Sequence, residues 1–133
     1  MRAQPPGARA DAGNSTVEVT LVSVLLVSLF LLVMQVGFVL HTRNVLVASA
    51  QEGARYGANA DRGPADAQQR TREVVATALS PAVADRMDYG AVEVVRDGVV
   101  TMEVQVRGPL PLVFLPAGPM RLSVVGHALE ESR

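Results

Sequence analysis

Side chains able to do acid–base, nucleophilic or metal chemistry are few in this sequence and far apart. It has two histidines and no cysteine, which excludes thiol nucleophiles, cysteine metal sites and a disulfide framework. His41 and His127 stand far apart in the sequence without ligand-spaced neighbours. A P-loop, a dinucleotide fingerprint, G-x-S-x-G and H-E-x-x-H are all lacking. The sequence therefore reads as that of a protein without enzymatic activity, and no catalytic residue, cofactor or metal is assigned. A net charge of −1 implies no general attraction to nucleic acid. The charged residue that does call for an explanation is Glu18, a carboxylate at the very edge of a long apolar run, where burying a charge is expensive.

Glu18 has a local explanation. Ser15-Thr16-Val17-Glu18 fits S/T-x-x-E, a capping box that closes a helix N-terminus, with the carboxylate also favoured at the positive end of the helix dipole.

The element that must position Glu18 is the apolar run over residues 19–40, interrupted only by uncharged Thr20, Ser23, Ser28, Gln35 and Gly37. Its roughly 22 residues at about 1.5 Å each span about 33 Å, enough for a bilayer core. Residues 1–13 are polar and rich in Pro, Gly and Ala, and read as a short leader without regular structure. The positive-inside count around the run is nearly balanced. A short polar leader is easily left in the cytoplasm, so the expected orientation is N-terminus in, C-terminus out, at the cytoplasmic membrane.

Helix-forming residues continue without proline to Ala60. Ser49, Gly53 and Gly57 recur every four residues, a small-residue stripe that permits close approach of another helix or of the β unit. Asp61-Arg62-Gly63-Pro64 stops this stalk. A second, amphipathic helix is expected over residues 65–79, with Val74, Val75, Ala78 and Leu79 as its apolar side and Arg70 and Arg72 in solvent. Pro81 ends it.

The remainder alternates like strands. Two strands flank Asp97-Gly98. A two-residue turn there would pair Val94 with Thr101 and Glu93 with Met102, mixing the faces. The expected hairpin therefore has a three-residue loop that pairs Val94 with Val100 and Val92 with Met102. A Pro-rich connection over residues 108–119 leads to a third strand over 120–128. The expected fold class is α+β: a long N-terminal transmembrane helix, then a small domain of one helix and a three-stranded antiparallel sheet. The organisation is a leader (1–13), a transmembrane helix continuing as a stalk (14–60) and an extracytoplasmic domain (61–133).

Gly13 closes the polar leader, Glu18 is the fifth residue after it, and the apolar run follows. This arrangement resembles the processing site of type IV prepilins. Ala50-Gln51-Glu52-Gly53-Ala54-Arg55-Tyr56-Gly57-Ala58, preceded by Arg43-Asn44, resembles the motif of the TadE-like family of tight-adherence (Flp) pilus proteins. The resemblance covers residues 13–60. Two departures are Gln35-Val36-Gly37, where that family often has Glu-Phe-Gly, and Val19, where Phe commonly follows the acidic residue.

The resemblance implies a minor pilin or pseudopilin, inserted in the inner membrane and cut by a prepilin peptidase between Gly13 and Asn14. Its partners would be other pilins or pseudopilins, the inner-membrane pilus assembly proteins and the lipid bilayer. It also implies that Glu18 pairs with the freed amine of Asn14 on a neighbouring subunit, which sets register. Two other readings remain open at the level of sequence. One is a single-pass accessory subunit of another membrane complex, with its leader intact. The other is a secreted protein cleaved after Ala50, since Ala48-Ser49-Ala50 fits an A-x-A site.

Overall fold

The computed structural model of the chain describes residues 10–109 and 121–129, with side chains from Thr16 onward. Helix α1 (Ala10–Gly57) runs for 48 residues, about 72 Å at the usual rise. It starts upstream of the expected leader boundary. Ala10, Asp11 and Ala12 are compatible with a first helical turn, and an acidic residue there suits the dipole. Residues 1–9, the rest of the expected leader, lie outside the described residues. Because α1 is already helical at Ala10, Ser15 is interior to the helix in the uncut chain.

Thr16–Gly57 includes a stretch long and apolar enough to cross a membrane. Its large side chains, from Val17 through Leu40, lie mostly exposed on every face. The polar hydroxyls in this run are satisfied within the helix. Thr20 donates to the Thr16 carbonyl at 2.8 Å, and Ser23 and Ser28 donate to the carbonyls of Val19 and Val24 at 2.7 Å. Back-bonding of this kind removes the penalty of placing a hydroxyl in an apolar medium.

Helix α2 (Pro64–Ala78) follows a short turn. Proline at its first position lacks only a donor that would be unsatisfied there anyway, and the Asp66 carboxylate accepts from the Gly63 N–H at 3.0 Å. Its buried residues are Ala67, Thr71 and Val75, spaced by four. Of the expected apolar side, Val75 is buried and Leu79 packs against the core, whereas Val74 is half-buried and Ala78 exposed. A four-residue helix, α3 (Pro81–Ala84), was not expected. Ser80 caps it, accepting from the Val83 N–H at 3.2 Å. Pro81 thus begins a helical turn as well as ending α2.

Strands β1 (Asp88–Arg96), β2 (Val99–Pro109) and β3 (Arg121–Leu129) form an antiparallel sheet in that order. The β1–β2 register corrects the expected hairpin. Val94 pairs with Thr101, Glu93 with Met102 and Arg96 with Val99, around a two-residue turn. Asp97 and Gly98 both hold positive φ, 53° and 81°, as a type I′ turn requires. The three-residue loop rested on Val92 and Val94 facing the core. They face away, and Val92 is exposed. Ala91 and Tyr89, opposite Val104 and Val106, carry the inner face. Local turn chemistry therefore agrees with the true face once the phase of β1 is shifted by one residue. The connection expected over 108–119 falls largely outside the described residues.

The sheet lies on the distal half of α1 and on α2, with α1 against β3 and β2, and α2 against β1. Leu46, Ala50 and Ala54 of α1, and Ala58 just after it, share one core with Val75, Met102, Val104, Val106 and Val124. The stalk is thus an integral part of the folded domain. Close approach takes the place of bulk here. A Cβ on Gly126 would lie 2.5 Å from the Ala50 carbonyl carbon and the Gln51 nitrogen, so β3 touches the α1 backbone itself.

Candidate functional site

The residues singled out in sequence fall at two places along α1. At its N-terminal end, Gly13 and Asn14 lie within the helix; the side chain of Asn14 is outside the described residues. Glu18 is exposed, flanked by Val17 and Val19, which are 58% and 62% exposed. The carboxylate thus sits on the surface of the helix where its uncovered apolar length begins.

The second place is the stretch from Arg43 to Tyr56. Arg43, Asn44 and Arg55 are exposed and lie on the side of α1 left open by α2 and the sheet. The other sides of the stretch meet α2 and the sheet. A Cβ on Gly53 would overlap the Thr71 hydroxyl and come within 2.7 Å of the Ala67 carbonyl oxygen, and one on Gly57 would lie 2.5 Å from the Ala67 Cβ. Ala54 and Ser49 are fully buried, and the Ser49 hydroxyl donates to the Val45 carbonyl at 2.7 Å. Gly53 and Gly57 therefore meet α2 of the same chain, while Ala50, on the adjoining face, meets β3.

Charged and aromatic groups frame this crossing. The Glu52 carboxylate faces Arg70 at 3.5 Å, and Arg70 also reaches Glu73 at 3.7 Å. Such part-exposed pairs contribute little on their own, about 0–1 kcal/mol. The Tyr56 ring carries the Arg62 guanidinium 3.6 Å from its centroid and that of Arg70 at 5.7 Å. Arg62 comes from the turn between the helices, so the stacking ties that turn to α1. The sequence reading left Arg70 in solvent and missed Arg62, Ala67, Thr71 and Gly126. For α2 a signal existed in Ala67, Thr71 and Val75 at helical spacing. For Arg62 and Gly126 nothing local pointed to a partner.

On the outer face of the sheet Glu103 bridges Arg96 at 3.0 Å and the His127 Nδ1 at 3.5 Å, on a solvent-facing surface. His41 is exposed on α1. Among the described residues no group of three or more His, Cys, Asp or Glu is placed to hold a metal ion. The arrangement among the described residues is one of helix docking and an uncovered apolar helix.

Neither the curated proteins nor the solved structures contain a match to this chain. One family model does match, and its limits coincide with the two places just described. Residues 13–55, from the glycine before Glu18 to the arginine of the α2-docking stretch, match the model of the TadE-like protein family, which makes this part of the chain a TadE-like segment.

Proposed function

We propose that the chain is a membrane-anchored minor pilin or pseudopilin that takes part in assembling a tight-adherence pilus. One observation carries the reading: the TadE-like match spans residues 13–55, so it takes in both Glu18 on the uncovered apolar helix and the stretch that docks α2. The match supports a role in such a pilus. The finer role rests on the chemistry of the N-terminal end.

In this reading the apolar half of α1 lies in the cytoplasmic membrane and the α+β domain outside it. A prepilin peptidase cuts between Gly13 and Asn14. The new amine of Asn14 on one subunit then meets the Glu18 carboxylate of another among apolar helices. A charge in such a bundle is tolerable when paired and very unfavourable when alone, so the pair selects one axial register.

Glu18→Gln tests the proposal. The amide cannot neutralise the ammonium. The variant is expected to be expressed, cleaved and membrane-located like the native chain, yet to fail to co-purify with the other pilus components. Incorporation equal to the native chain would sink the electrostatic register mechanism.

A further inference from the structure

Six helical hydroxyls among the described residues share one arrangement. Thr20, Ser23, Ser28, Ser49, Thr71 and Thr77 each donate to the carbonyl four residues back, at 2.7–2.9 Å. Thr42 does not. Its side chain is 1% exposed and its Oγ1 is buried with no hydrogen-bond partner. A neutral hydroxyl left in that state is unfavourable, so its placement calls for an acceptor supplied from outside.

Thr42 lines a cavity of about 310 Å³ between α1 and the α2–α3 junction, together with Phe38, His41, Leu79, Ser80 and Val83. The volume is at the lower end of the roughly 300–1,000 Å³ found for small-molecule sites. It suits part of a larger amphiphile rather than a whole one. Its walls divide by chemistry. Phe38, Leu79 and Val83 are apolar. Thr42 offers a donor, and the Ser80 oxygen, which accepts from the Val83 N–H, keeps its own proton free to donate. His41, exposed at the rim, adds a ring N–H. The cavity also lies where the apolar run of α1 gives way to polar residues after Leu40.

We propose that this cavity binds the glycerol region of a membrane phospholipid. The first acyl carbons lie against Phe38, Leu79 and Val83, an ester carbonyl accepts from the Thr42 hydroxyl, and the phosphate is held at the Ser80 and His41 side. The ester carbonyl is a pure acceptor at the depth where a spanning α1 leaves the hydrocarbon, and so meets the unfilled Thr42 donor. The inference rests on the membrane-spanning reading of α1.

The test uses the full chain in phosphatidylethanolamine–phosphatidylglycerol vesicles doped with phospholipids carrying a photoreactive diazirine either near the ester end or along the acyl chain. Adducts are mapped by mass spectrometry. The expected result is labelling at Phe38, Leu79 or Val83 in addition to the general labelling along residues 17–36. Thr42→Val, which keeps the shape and removes the donor, should lower the cavity adducts about two- to tenfold, the effect of one neutral hydrogen bond. It should leave the adducts along the span unchanged. Ala78→Leu, on the cavity wall, fills the space without touching Thr42 and should lower the same adducts. Span labelling with no cavity adducts, or cavity adducts unchanged in both variants, overturns the lipid site. Absence of labelling along the span overturns the membrane-spanning reading as well.

Discussion

Gly53→Ala separates packing from helix propensity by sign. In an exposed helix interior, Gly to Ala stabilises by about 1 kcal/mol. At Gly53 the added methyl would overlap the Thr71 hydroxyl and lie 2.7 Å from the Ala67 carbonyl oxygen, well inside the contact distance of about 3.5–4 Å. Thr71 cannot simply turn away, because it is fully buried and its hydroxyl donates to the Ala67 carbonyl at 2.7 Å. Helix α2 must therefore retreat from α1. Overpacking against such fixed groups costs up to about 3 kcal/mol, leaving a net loss of about 2 kcal/mol once propensity is offset. For a domain of this size that is a fall in Tm of roughly 8–16 °C. The assay is thermal melting of the full chain in detergent, followed by circular dichroism. Gly37→Ala is the control, since a Cβ there meets nothing within 4 Å, and it should not lower Tm. Adding Thr71→Ala to Gly53→Ala should recover part of the loss by removing the overlapping hydroxyl. If Gly53→Ala melts at or above the native temperature, the close α1–α2 crossing is refuted.

Two further outcomes follow from the packing. Gly126→Ala should destabilise by about 1–3 kcal/mol, because the obstructing atoms are the Ala50 and Gln51 backbone and no side chain can yield; denaturant unfolding of the full chain measures this. Burial raises the Tyr89 pKa above its ordinary value of 10.0, opposed by Arg72 and aided by Asp85, and the phenol donates to the Ala84 carbonyl at 3.0 Å. The raised value means that the stability Tyr89 adds is whole below pH 10 and disappears as pH climbs through its folded-state pKa. Tyr89→Phe should therefore flatten the fall in Tm measured across that alkaline range.

The long helix and the three strands were legible because each carries its own period: an unbroken apolar run, then strict alternation in β2. What depended on the third dimension was less so. The docking stretch from Glu52 to Tyr56 was conspicuous in the sequence, yet its partners Arg62, Ala67 and Thr71 belong to the next turn and helix, and a stripe of small residues does not say what it packs against. The hairpin register failed on β1, where Val92 and Val94 look like core residues. The sheet buries the smaller Ala91 instead, because α2 approaches that face closely. Asp97-Gly98 in fact carried the right answer, as a pair suited to two left-handed residues. Ser80-Pro81 carried a helix start that was read only as a helix end. At the N-terminal end, Gly13 and Glu18 were legible through their spacing.

The measurement that bears most directly on the proposed role is the N-terminal sequence of the protein in the membrane fraction of cells that carry the pilus system. The account predicts a mature chain beginning at Asn14, with its Glu18 carboxylate four residues from the new amine. A chain still beginning at Met1, as an uncut anchored subunit would have, or one beginning at Gln51, as a secreted protein would have, would contradict it.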